Sequence, residues 1–288
     1  WFFSLLQRSG ISYEKRSEIF NTITERGSGI IMKEKNELIL STGSVWKISA
    51  DTWLNWLIES KQSIIDFYGC SPFYSPFTYQ TDNEYRITIL EKWKQIFKQK
   101  NIEIFSYTPE MRNYPLNLAD TNEEIRCGSV SYCSNAIVDA AILDAQFVRI
   151  RTGYSYLHQN PDLAFSQLCR SMESILPLAQ KHNITFLTGP DDYDVTNIIF
   201  NCKSVIKLTE KFPESNLSII LPAHIIGESA EPSAWYINTL GKRIAALELS
   251  ADSSTLISKL QKIESDPKLS SQLPIILELS GDNNIDTH

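Results

Sequence analysis

Short runs rich in Ile, Val and Phe recur along the chain, at residues 45–48, 64–68, 102–107, 147–150, 184–187, 217–221, 244–249 and 275–279. Most are continuous rather than alternating, the pattern of strands buried on both faces. Between them the apolar positions change to helical spacing. Val130, Cys133, Ile137, Ala140 and Ala141 share one helical face, and so do Phe165, Leu168, Cys169, Met172, Ile175, Leu176 and Ala179. Val195, Ile198, Ile199, Cys202, Val205 and Ile206 form a third face, with further ones at Ile89, Trp93, Ile96 and Phe97 and at Leu256, Leu260 and Ile263. Trp53 and Trp56 sit on another helix, where packing is their expected role.

Strand, helix, strand, helix predicts parallel strands joined by crossover helices. Eight strand runs predict an α/β chain closed into a (β/α)₈ barrel, which typically takes about 250 residues. The final helix of such a barrel is missing from the pattern, because the chain ends at His288 soon after the last run. Residues 1–43 break the rhythm and read as an N-terminal extension of one amphipathic helix ("SYEKRSEIFNTITERG") and a β-hairpin ("SGIIMKEKNELILST"). The barrel is expected over 44–288. The chain opens at Trp1 rather than at a methionine, which implies a processed chain or an upstream part.

Composition sharpens this only a little. A hydrophobic fraction of 42% is ordinary for a globular chain, and a net charge of −7 argues against nucleic acid or an anionic membrane as partner. No apolar run reaches the roughly 20 residues that span a bilayer. The opening "WFFSLL" is too short for a signal-peptide core. The five cysteines (Cys70, Cys127, Cys133, Cys169 and Cys202) form no CxxC pair, which suits a reducing cytoplasm.

Three segments carry a resemblance: "IEIFSYTPEMRNYPLNLAD", "IRCGSVSYCSNAIVDAAILDAQFVRIRTGY" and "LAQKHNITFLTGP". Together they resemble the xylose isomerase-like TIM barrels, a superfamily of sugar phosphate isomerases/epimerases and apurinic endonucleases. The likeness runs from about Val45 to Leu279. It implies a divalent metal such as Mn²⁺ or Zn²⁺, held by carboxylates and imidazoles at the strand ends, and a pair of glutamates that take and return a proton. Carried over residue by residue, most of that site is lost. The fifth-strand Glu falls on Thr188 or Gly189, the sixth-strand Asp on Leu221, and the seventh-strand His on Leu247 or Glu248. His224 and Glu278 match, so the metal set implied is His224, Glu248 and Glu278. The endonucleases' further histidines are replaced by Arg151, Tyr107 and Thr108.

Active sites of this fold lie at the carboxyl ends of the strands. There the sequence offers Asp66, Tyr68, Tyr107, Arg149, Arg151, Tyr154, Asp191, His224, Glu248 and Glu278. Strand alternation sends Arg149 and Arg151 to one face. Either the two clamp a phosphate or carboxylate, or they pair with Glu248, Glu278 or Asp66 inside the barrel. Two functions stand beside each other. One is a sugar phosphate isomerase/epimerase-like enzyme acting by proton transfer on a small polyhydroxylated or anionic substrate. Glu278 is its base and His224 its acid or metal ligand, with Arg151, Arg149, Tyr107, Tyr154 and Asp191 binding substrate. The other is a catalytically degenerate barrel that binds or assists in a biosynthetic pathway, meeting a protein partner through its N-terminal extension.

Overall fold

The computed structural model describes residues 38–45, 49–59, 62–74, 83–111, 115–191, 195–213, 215–224, 233–251, 255–266 and 273–279. Eight parallel strands close into a barrel: β1 (Leu38–Ser41), β2 (Ile64–Gly69), β3 (Glu103–Pro109), β4 (Phe147–Arg149), β5 (Thr185–Thr188), β6 (Leu217–Pro222), β7 (Ile244–Ala251) and β8 (Ile275–Leu279). Helices α1 (Ala50–Glu59), α2 (Asn83–Gln99), α3 (Glu123–Ile142), α4 (Pro161–Lys181), α5 (Cys202–Lys211), α6 (Ser233–Leu240) and α7 (Leu256–Ser265) lie between the strands. β8 closes the ring by pairing with β1, Ile39 opposite Ile276. No helix of the described residues is long and apolar enough to cross a membrane.

Seven strands fall on the expected runs, while the first lies earlier than residues 45–48. Leu38–Ser41, expected in the extension's hairpin, is β1 itself and pairs with both β2 and β8. The amphipathic helix and the rest of that hairpin lie outside the described residues, as does everything after β8. The helix expected from Val195 starts only at Cys202. Asn201 sets that boundary, its side chain accepting from the Ser204 amide in a capping box. Helix α6 completes the strand–helix alternation between β6 and β7, although its residues carry no clear periodic signal. Asn101, Asp144 and Asn183 adopt left-handed backbone just past α2, α3 and α4, where Asn and Asp are the best tolerated residues after glycine.

Strand parity divides the core in two. One face of the strands packs against the helices, burying Trp53, Phe67, Phe97, Phe186 and Ile137 among others. Trp53 is buried as expected, edge-on to Phe73 at 5.2 Å. The opposite face fills the barrel. Ile39, Ile64, Phe105, Phe147, Leu187, Ile220, Ala246 and Ile276, one residue from each strand, form a separate apolar cluster that plugs the interior. Two residues further along several of these strands, the lining turns polar.

Candidate functional site at the carboxyl end of the barrel

Above the apolar plug stand Ser41, Asp66, Arg149, Glu248 and Glu278, each two residues beyond a plug position on β1, β2, β4, β7 and β8. Arg149 reaches across the barrel, donating to Glu278 Oε1 at 2.9 Å and, through its other terminal nitrogen, to Glu248 Oε1. The Arg149 side chain is 8% exposed and each glutamate 14%. Burial alone would disfavour the guanidinium charge, but Glu248, Glu278 and Asp66 outweigh it and push the Arg149 pKa above its ordinary value. Asp66 is fully buried and accepts from Ser41, Ser106 and Thr108 at 2.7, 2.6 and 2.7 Å. Burial dominates there and raises the Asp66 pKa, against the opposing pull of Arg149 and the three hydroxyls.

Beside the axis, on the β4–β5 side, a small cleft opens to solvent. Its wall is the segment after β4, carrying Arg151, Thr152 and Tyr154, and its far side the segment after β5 with Asp191. Arg151 pairs with Asp191 across it. The β4 segment is fixed from two directions. Asn117, in the "NLA" element after β3, donates to the Tyr154 carbonyl at 3.0 Å and accepts from its amide at 3.1 Å. Asn197 brackets Ser155 in the same way, at 2.7 and 2.9 Å, and Thr196 donates to the Gly153 carbonyl at 2.6 Å. Gly153 has φ +93°, and a Cβ there would stand 2.2 Å from Asn117 Oδ1, so the segment requires glycine.

The residues expected at the site are only partly brought together. Arg149 pairs with Glu248 and Glu278 inside the barrel, and both arginines line the cleft with Tyr154, Asp191 and Glu248. Tyr107 is not at the mouth. An extra residue, Phe105, enters β3 opposite the β2 step from Ile65 to Asp66, and this bulge reverses the parity beyond it. Ser106 and Thr108 therefore face Asp66, while the buried Tyr107 ring packs beside Phe67 and Tyr74 in the helix-side core. His224 follows β6, half-buried, and is not among the residues lining the cleft. Thr152, which lines the cleft, is a small polar residue with no spacing signal of its own in the sequence. Asn117 lies within the segment "IEIFSYTPEMRNYPLNLAD" that carries the family resemblance.

The residues present do not fit the divalent metal that the resemblance implies. Among the described residues no three His, Cys, Asp or Glu side chains are grouped so as to hold a metal ion. The place between the two glutamates is taken by the Arg149 guanidinium. On β5, Thr188 and Gly189 stand where the family's glutamate is expected. A Cβ on Gly189 would lie 1.8 Å from the Ile220 carbonyl oxygen, so no larger side chain fits there without moving β6.

Comparison with known proteins agrees with this architecture. The curated fructoselysine 3-epimerases of Shigella flexneri and Escherichia coli O157:H7 are 21% and 20% identical over 160 residues. Each match covers 56% of this chain and 58% of the relative, so it spans less than two thirds of the relatives' length. Among solved structures, D-psicose 3-epimerase of Clostridium cellulolyticum H10 superposes with a TM-score of 0.63 at 10% identity, covering 84% of each chain. The 3-keto-D-glucoside 4-epimerase of E. coli gives 0.64 at 9% identity, covering 85% of this chain and 92% of its own. The family model described as Xylose isomerase-like TIM barrel matches residues 65–258, and the chain belongs to that family.

Proposed function

We propose that this barrel binds a small polyhydroxylated molecule at its carboxyl-end mouth and does not epimerise it through a bound metal. One observation carries the reading: the Arg149 guanidinium bridges Glu248 and Glu278. A buried guanidinium is a fixed cation whose planar fork matches carboxylates. It supplies the positive charge that two interior glutamates require, and it engages an oxygen of each. Proton transfer needs a carboxylate within hydrogen-bond reach of the substrate's proton and able to move toward it. The names of the curated relatives, both epimerases of a sugar derivative, support the ligand class. A cytoplasmic setting and a protein partner met through the N-terminal extension complete the proposal as a biosynthetic accessory protein.

A second reading keeps catalysis, with Glu278 as base, His224 as acid and Arg151 holding an anionic group of the substrate. What favours it is that both glutamates are partly exposed at the mouth.

Metal analysis after soaking with Mn²⁺ and Zn²⁺, with deuterium exchange from solvent into D-fructose and D-psicose, separates the two. The binding reading expects no stoichiometric metal and no exchange. Metal that disappears in Glu278→Ala or His224→Ala overturns it. Metal-free exchange abolished by Glu278→Gln establishes the second reading instead.

A further inference from the structure

We infer that residues 12–27 form a helix seated over the outer face of the β8–β1 pair, where the eighth helix of the fold belongs. The inference concerns the outer wall of the barrel and is independent of what its mouth binds.

Ile39 and Ile276 point into the barrel, so strand alternation turns their neighbours outward: Leu38 and Leu40 on β1, Ile275 and Leu277 on β8. The four form one strip, Leu38 opposite Ile275 and Leu40 opposite Leu277. Leu40 is 3% exposed, Ile275 4% and Leu277 0%, as on a face that lies under a packed layer. In this fold each helix covers the groove between the strand before it and the strand after it. By that rule α7 serves β7 and β8, and α1 serves β1 and β2. Among the described residues no helix leads from β8 to β1. A strip this dry needs apolar side chains above it.

Two stretches of chain adjoin the strip. The residues after β8, "SGDNNIDTH" (280–288), offer one large apolar side chain, Ile285. Those before β1 include "SYEKRSEIFNTITERG" (12–27). Wound at about 100° per residue, Tyr13, Ile19, Phe20 and Ile23 fall within roughly 120° of arc, and Glu14, Glu18 and Glu25 lie opposite. Gly27 ends the pattern with the residue that most often follows a helix. Residues 28–37 then lead to Leu38, so the helix would enter β1 as α7 enters β8. Its seat backs two members of the charged ring, since β1 carries Ser41, which holds Asp66, and β8 carries Glu278, which holds Arg149. The glutamate face would stay turned outward, toward the protein partner proposed above.

The test is amide hydrogen exchange on the full chain, read by mass spectrometry at 38–41 and 273–279. It compares wild type with two double variants, Phe20→Asp with Ile23→Asp and Glu14→Gln with Glu18→Gln. The apolar-face variant is expected to exchange about tenfold faster at both strands and to melt at a lower temperature. The glutamate-face variant is expected to match wild type. Should the apolar-face variant fail to fold, a photo-crosslinking amino acid at position 20 supplies the answer. In the monomer fraction its crosslinks are expected on β1, β8 or the flanking α1 and α7. The inference is overturned if β1 and β8 keep their wild-type exchange in the apolar-face variant, if both variants behave alike, or if the crosslinks fall elsewhere. Crosslinks between two chains would overturn it too, giving the strip to a second copy. Stoichiometric metal with deuterium exchange into a sugar would bring down the binding reading and leave this seat standing.

Discussion

The barrel interior has two rings built on the same strands, and they obey different rules. The lower ring takes one apolar side chain from every strand and needs nothing but volume. The upper ring, two residues further along, holds charges that are stable only through one another: Arg149 with Glu248 and Glu278, and Asp66 with its hydroxyls. Lower-ring positions can be exchanged for neighbours of similar size at modest loss. Upper-ring positions cannot be exchanged singly, because removing one member strands the others as buried charges.

Breaking the upper ring should have the largest effect. Arg149→Met leaves two glutamates without their cation and is expected to destabilise the fold by about 3–5 kcal/mol in denaturant unfolding at neutral pH. The combined Arg149→Met, Glu248→Gln and Glu278→Gln variant should recover most of that loss. If it does not, packing by the arginine stem rather than charge holds the ring. In the lower ring, Ile276→Val removes one methylene from a fully buried residue and should cost about 0.5–1.5 kcal/mol, read the same way.

The smallest effect is a slope. Because the Asp66 pKa is raised in the fold, the unfolded chain gives up this proton first as pH rises. From about pH 4 upward the unfolded state then binds fewer protons than the native one, so stability falls with pH through the raised native value. Asp66→Asn should remove that downward contribution, and denaturation series at several pH values will show whether the slope flattens.

The lower ring and the strands that carry it were largely legible in the sequence, because a buried strand declares itself by a run of Ile, Val and Leu. The exception is β1. "LILS" and the "VWKI" that follows it look equally strand-like, and the choice is made by pairing with Ile276, far along the chain. The upper ring was legible as a set of residues but not as a set of bonds. Arg149 meets partners 99 and 129 positions away, and no local spacing encodes such distances. Tyr107 was misplaced for a related reason: one bulge in β3 inverts every face beyond it, and nothing in "IEIFSYTP" marks it.

Gly189 bears on what could be rebuilt here. With the Ile220 carbonyl pressed against it, a carboxylate cannot be restored at 189 by substitution alone. An engineer seeking proton-transfer chemistry in this barrel would have to graft the acid at Thr188, on the strand itself, and delete Arg149 in the same step. The two changes compound, because removing Arg149 leaves Glu248 and Glu278 without their cation while the new acid adds a third negative charge, so a replacement cation would have to arrive with them.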